Sequence, residues 1–202
     1  MRLFLFVVIF ALSLTSSAQE KTLMVLGDSI SAGYGIALQQ GWVHLLEERL
    51  HQQGYRYHVK NASISGDTTR GARARLTRLL DENTPDISII ELGGNDGLRG
   101  LSLEELRVNL STLITELLNS GAKVVLVPMR LPPNYGPACN ERFEAIYRDM
   151  KAEHDITLTR FILEGIAGDP EQMQSDGIHP KASAQAQMLE IVWQDLQPLL
   201  VK

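Results

Sequence analysis

Short apolar runs of strand character alternate with stretches of helical periodicity along this chain, and few folds accommodate that alternation. Thr22-Leu23-Met24-Val25-Leu26, closed by Gly27, has the pattern of a strand buried on both faces. Trp42 to Gln53 places Trp42, Leu45, Leu46 and Leu50 on one helical face. Tyr55 to Val59 alternates apolar and polar residues and predicts a strand nearer an edge, and Thr68 to Leu80 is again helical. Asp86 to Leu92 follows the turn Thr84-Pro85 as a third strand. Ser102-Leu103-Glu104-Glu105 is a capping box; it opens a helix with Leu103, Leu106, Leu110, Leu113 and Leu117 on one stripe, ended by Gly121. Lys123 to Val127 predicts a fourth strand that stops at Pro128, Asn140 to His154 a helix, and Ile156 to Phe161 a fifth strand. Pro180 suits the first position of a last helix running to about Gln197, with Leu189, Val192, Trp193 and Leu196 inward. Five βα units in succession predict an α/β fold of three layers, a parallel sheet between two layers of helices. The pattern leaves the strand order open.

The chain has 202 residues, enough for one domain with a real core but not comfortably for two. Its net charge of -5 argues against nucleic acid as a partner, because phosphate binding needs a basic face. The most basic stretch, Arg70 to Arg78, also carries apolar residues at helical spacing and reads as a solvated helix face. Arg2, the apolar stretch Leu3 to Leu14 and the small residues Ser16-Ser17-Ala18 have the layout of a secretory signal. Its apolar run is shorter than the roughly 20 residues of a membrane span. The expectation is therefore a signal peptide at 1–18, a single domain at 19–202, and a periplasmic or secreted protein with no stable span after cleavage. An uncleaved N-terminal anchor is the alternative. Cys139 is the only cysteine, so no intrachain disulfide forms; with no base beside it, it reads as a small packing residue.

Chemistry concentrates where strands end. Ser29, in Gly27-Asp28-Ser29-Ile30-Ser31, leaves the first strand with an exposed hydroxyl, and is either a nucleophile or a helix cap. It is not a G-x-S-x-G elbow, since Ser31 stands where that motif has Gly. Asp176-Gly177-Ile178-His179-Pro180 sets a carboxylate three residues before an imidazole. That spacing lets Asp176 bind one ring nitrogen of His179 while the other points outward; an Asx turn leading into Pro180 is the plain alternative. The other histidines, His44, His51, His58 and His154, fall on helices or a strand and read as surface or packing residues. Two Gly-rich turns, Ser65-Gly66-Asp67 and Gly93-Gly94-Asn95-Asp96, offer the Gly66 N–H and the Asn95 amide to an oxyanion, or are simply turns. Asp28, Asp67 and Asp96 read as turn and hydrogen-bond residues. Gly33 to Leu38 lacks the third glycine of a dinucleotide fingerprint, and His44 with Glu47 lacks a second pair of ligands, so neither a cofactor nor a metal is expected.

Ser29, Gly66, Asn95 and His179, in this order and with Asp176 three residues before the histidine, resemble the SGNH (GDSL) hydrolase family. The likeness extends over Leu26 to Tyr34, Asn61 to Thr68, Glu91 to Gly100 and Arg130 to Gly136, and within the family it is similar to bacterial periplasmic thioesterases and lysophospholipases. It implies a flavodoxin-like, five-stranded parallel sheet of order 2-1-3-4-5. It also implies roles: Ser29 as nucleophile, His179 as base then acid, Asp176 as its orienter, and an oxyanion hole of the Ser29 and Gly66 N–H groups with the Asn95 side chain. The loops Gly97 to Leu101 and Arg130 to Tyr135 would line an acyl crevice, with Leu98, Leu101 and Leu131 as apolar contacts; Arg99 and Arg130 in the same loops either meet a polar head group or are simply solvated, and solvation is the expectation. The implied function is hydrolysis of acyl esters and thioesters (arylesters, lysophospholipids, acyl-CoA) by a monomer. A carbohydrate O-deacetylase on the same fold and a non-catalytic flavodoxin-like binding module are the rival readings.

Overall fold

The apolar runs form one parallel sheet. A computed structural model describes residues 20–202, so the expected signal peptide lies outside the described residues. The strands are β1 (Lys21–Gly27), β2 (Tyr57–Asn61), β3 (Ile87–Glu91), β4 (Lys123–Val127) and β5 (Thr157–Leu158). Their spatial order is β2-β1-β3-β4-β5, as the family resemblance implied, and every pairing is parallel. β3 is buried throughout, whereas β2 alternates buried and exposed residues as an edge strand should.

The helices are α1 (Ser29–Ala32), α2 (Trp42–Gln52), α3 (Thr69–Glu82), α4 (Gly94–Leu98), α5 (Leu103–Asn119), α6 (Pro137–Glu153) and α7 (Gln185–Leu196). α2 packs on α7, while α5 packs on both α3 and α6, giving helical layers on either side of the sheet. α2 buries Trp42, Leu46 and Leu50, and α7 buries Leu189, Val192, Trp193 and Leu196. The buried side chain of Gln185 accepts the Trp42 N–H at 2.9 Å and so joins the starts of these two helices.

Two expected elements differ most, the others by no more than three residues at either end. The fifth strand keeps only Thr157–Leu158 of the run Ile156 to Phe161. β4 offers it a partner only at Val125 and Leu126, and after the Thr159 N–H has bonded the Leu126 carbonyl the chain turns away. The last helix begins at Gln185, not Pro180. The backbone before it is already engaged: Gln174 N–H donates to the His179 carbonyl, Lys181 N–H donates to the Gln172 carbonyl, and the Pro180 carbonyl accepts from the Gln174 side chain. That pairing holds Pro180 extended against Met173.

The order reverses on the two sides of β1, and such a switch point opens a crevice at the carboxyl ends of the strands. α1 follows β1 there, and α4 follows β3.

Candidate active site

Ser29 is the first residue of α1. Asp28, and not Ser29, caps that helix: its carboxylate accepts the Ile30 N–H at 3.0 Å. The serine hydroxyl is thereby left free for another partner, which is His179, with Nε2 2.9 Å from Ser29 Oγ. His179 Nδ1 lies 2.6 Å from Asp176 Oδ2. The other Asp176 oxygen accepts the Ile178 and His179 N–H groups at 2.9 and 3.0 Å. The imidazole hydrogen bond, followed by these backbone donors, lowers the Asp176 carboxyl to about 2. The carboxylate therefore stays ionised and holds the ring with Nε2 toward the serine. Tyr34, from the turn after α1, lays its ring against the His179 ring with centroids 4.4 Å apart. The Gln174 side chain ties the Tyr34 and Pro180 carbonyls together at 2.8 and 3.0 Å, bracing the loop that carries Asp176 and His179. Spacing between residues carried no sign of either brace.

Asn95 sits in α4, opposite α1. One of its amide N–H bonds goes to Asp28 Oδ2 at 3.0 Å, which leaves the second for the cavity that Ser29 and Asn95 both line. Below them two carboxyls are buried side by side. Burial, partly offset by the Ile30 and Asn95 donors, pushes the Asp28 carboxyl up to about 6. Burial and the nearby Asp28 raise Glu91 well above the ordinary range. Ser31 Oγ donates to Glu91 Oε2 at 2.6 Å, fastening α1 to the end of β3. Glu91 was missed because it sits in a continuous apolar strand, where nothing but its own charge marks it. Asp67 pairs with Arg75, and Asp96 accepts the N–H and hydroxyl of Thr69 at 3.0 and 2.5 Å, so both act as hydrogen-bond residues.

The cavity beside Ser29 holds about 640 Å³, and its wall includes Leu98, Met129, Leu131, Phe161, Leu163 and Ile178. Leu131 is buried against α4, where Gly97 gives it room: a Cβ on Gly97 would collide with its methyl groups. Leu101, expected as a third apolar contact, stands outside this wall. Its N–H bonds the Asp96 carbonyl and closes α4, and its side chain is 41% exposed. The two arginines of these loops are not simply solvated. Arg130 reaches Glu144 and Glu164 at 3.2 and 3.7 Å and covers the Phe161 ring. Arg99 donates to the Gly66 carbonyl at 2.8 Å. Gly66 lies in the turn after β2, and that turn is tied to the end of β1 by the Ile64 N–H, which donates to the Gly27 carbonyl at 3.0 Å. Among the described residues no group of three or more His, Cys, Asp or Glu side chains is placed to hold a metal ion.

Residues 25–187 match the model of the GDSL-like Lipase/Acylhydrolase family. The chain is 50% identical over 187 residues to Esterase TesA of Pseudomonas aeruginosa, covering 93% of each. It is 46% identical to an arylesterase of Vibrio mimicus, covering 96% of this chain and 97% of that one. It is 40% identical to Thioesterase 1/protease 1/lysophospholipase L1 of Escherichia coli K12, covering 91% and 87%. Among solved structures, the crystal structure of TesA superposes with a TM-score of 0.88 at 50% identity, over 89% of this chain and all of that one. With a family match across most of its length and relatives of this identity on the same sheet order, the chain belongs to the GDSL-like lipase/acylhydrolase family and is a hydrolase of ester bonds.

Proposed function

We propose that the protein cleaves carboxylic esters and thioesters of acyl chains through a covalent acyl-enzyme on Ser29. The observation that carries this reading is the unbroken chain from Ser29 Oγ through His179 to Asp176, at 2.9 and 2.6 Å, opening on an apolar cavity. In the first half-reaction Ser29 Oγ bonds to the acyl carbon as its proton passes to His179 Nε2. The Ser29 and Gly66 N–H groups and the Asn95 amide receive the oxyanion; the Ser29 N–H, at the start of α1, has no acceptor within its helix. His179 then protonates the departing alkoxide or thiolate as the carbon–oxygen or carbon–sulfur bond breaks. In the second half-reaction water gives its proton to His179 and its oxygen to the acyl carbon. The free acid leaves and Ser29 recovers its proton.

Leu98, Met129 and Leu131 suit an acyl chain, and the names of the relatives, esterase, arylesterase and thioesterase/lysophospholipase, support arylesters, acyl thioesters and lysophospholipids as the substrate class. An O-deacetylase working on carbohydrate would have little use for this apolar wall. We infer also that residues 1–18 direct the chain to the periplasm or the outside, where a single domain of residues 19–202 acts.

A fluorophosphonate probe tests the mechanism. It should label the wild type once, at Ser29, and leave Ser29→Ala unlabelled. Labelling elsewhere, or ester turnover by Ser29→Ala close to that of the wild type, overturns the assignment.

A further inference from the structure

We infer, on the reading of Asn95 as an oxyanion donor, that Asp96 and Thr69 form a positioning pair: their hydrogen bonds set where α4 stands, and so where the free Asn95 N–H points. α4 has five residues, little more than one turn. It is entered through Gly93, whose φ of +110° is a conformation that favours glycine. A helix this short is not stable by itself and takes its place from what grips it.

Two grips reach its first turn, from different neighbours. Asn95 Nδ2 donates to Asp28 Oδ2 at 3.0 Å, and Asp28 is the cap of α1. Asp96, the next residue, is buried and turns instead to α3: its two carboxylate oxygens accept the Thr69 N–H at 3.0 Å and the Thr69 hydroxyl at 2.5 Å. Consecutive residues of a helix project about 100° apart, so the two grips act on different sides of the turn. The Asp28 bond holds only the tip of an amide, and α4 could swing about that tip. The Asp96 bonds remove this freedom, since there are two of them and one ends on backbone. The far end of α4 is held separately, by the Tyr135 hydroxyl on the Leu98 carbonyl at 2.9 Å. Loss of the Asp96 bonds should therefore tilt the turn and displace Asn95 rather than free the whole helix.

Thr69 is itself fixed in direction. It is fully buried and is the first residue of α3, so its N–H has no acceptor within that helix. Its hydroxyl accepts from Asn109 Nδ2 at 3.2 Å, which leaves the hydroxyl proton for Asp96. The Asn109 amide is oriented in turn by Arg73, whose Nη1 donates to Asn109 Oδ1 at 3.3 Å. A guanidinium only donates and a carboxylate only accepts, so the line Arg73–Asn109–Thr69–Asp96 runs in one sense. Starting α3 does not require Asp96, because that helix has a cap of its own: the Thr68 hydroxyl accepts the Gly71 N–H at 3.2 Å. What the buried Asp96 carboxylate does beyond that cap is hold α4.

The test uses the full chain with a short p-nitrophenyl ester as probe, assayed well below the melting temperature of each variant. Removing one oxyanion donor costs about 10² to 10³ in kcat, and a donor displaced but present should cost less. Thr69→Val, which loses the hydroxyl at little change of shape, should therefore lower kcat about 10-fold with KM held within about twofold. Thr69→Ser should recover most of the loss. In an Asn95→Ala background, Thr69→Val should change kcat less than about twofold, because the donor it positions is gone. Thr69→Ala, which also lacks the hydroxyl, takes its place if Thr69→Val does not fold. A kcat within about twofold of wild type in Thr69→Val overturns the inference and makes the pair structural alone, whatever the melting temperature. An equal loss with and without Asn95 overturns it too, and so does a loss confined to KM. Asn95→Ala by itself separates the two levels. If that variant keeps wild-type kcat, the reading of Asn95 has failed and the inference with it; if it loses 10² or more while Thr69→Val loses nothing, only the role of the pair has failed.

Discussion

Asn95 is held by a single carboxylate, and that carboxylate is buried. Asp28 fixes the amide so that one N–H is spent on Asp28 Oδ2 and the other is free for a developing oxyanion. Asn95→Ala should fold normally and lose roughly 10² to 10³ in kcat with little change in KM, because the bond gains strength only in the transition state. A rise in KM at constant kcat would make Asn95 a ground-state binding residue instead. Asp28 also leaves a mark on stability. With its carboxyl raised by burial from the ordinary 3.8 to about 6, the folded protein retains a proton there that the unfolded chain has already lost. Stability from this group is fully present below the unfolded value and declines as pH rises toward 6, beyond which the penalty is constant. Asp28→Asn lacks that decline. Its stability relative to wild type should rise by on the order of 1–3 kcal/mol between pH 4 and pH 6 and level off above, as urea melts across this range would show. A difference that does not vary with pH would mean that Asp28 is not desolvated as the fold indicates.

Among the elements, the loop from Met173 to Pro180 determines whether the acid and the base meet. It forms no long helix or strand, so its shape depends on a few side chains. Gln174 contributes most, bonding both the Tyr34 and the Pro180 carbonyls. Gln174→Ala should release the loop from the Tyr34 turn, cost about 1–2 kcal/mol of stability, and lower kcat more than it raises KM, since the Ser29–His179 contact is what loosens. Unchanged kcat at a lowered melting temperature would show the brace to be structural alone. Elements of this kind were the least legible from residue order. β4 and α5 could be read almost to their ends because an apolar run or stripe there is long and its caps are plain: the capping box at Ser102 and the glycine at 121. α1 and α4 span only four and five residues, too few to display a helical period, and Gly93-Gly94-Asn95 resembled a turn. β5 looked longer than it is because Phe161 is apolar for a different reason: it is buried beyond the strand, in the wall of the cavity. The proposed catalytic set was legible for a different reason. Ser29 and Asn95 stand beside glycines just beyond β1 and β3, and Asp176 and His179 flank Gly177 in one short turn. Arg99, Tyr34 and Glu91 act through contacts across the fold and have no counterpart in local spacing.

At the scale of the whole molecule, the parallel sheet brings groups far apart in the chain to one carboxyl edge, and the apolar cavity lies across the same edge. Its wall is built from both ends of the chain and from its middle: Ile30 beyond β1, Leu98 and Leu131 beyond β3 and β4, and Leu163 and Ile178 beyond β5. The proposed reacting atoms and the proposed acyl-binding surface are therefore separate parts of one crevice, and substitution can divide them. Each methylene buried along the wall contributes up to about 0.8 kcal/mol, so kcat/KM should climb from acetyl through medium-chain p-nitrophenyl esters and stop climbing once the crevice is full. Leu131 is the side chain to alter. It is buried against Gly97 on one side and lines the cavity on the other. Leu131→Ser should flatten the chain-length profile while leaving acetyl ester turnover close to wild type, because Ser29, His179 and Asn95 make no use of it. Leu101→Ser, outside the wall and exposed, should leave the profile unchanged. A wild-type profile that peaks at acetyl would mean that the apolar wall does not hold the acyl group, and would favour a deacetylase. Equal effects of Leu131→Ser on every ester would mean that the substitution had disturbed α4 and Asn95 rather than the surface on which the chain lies.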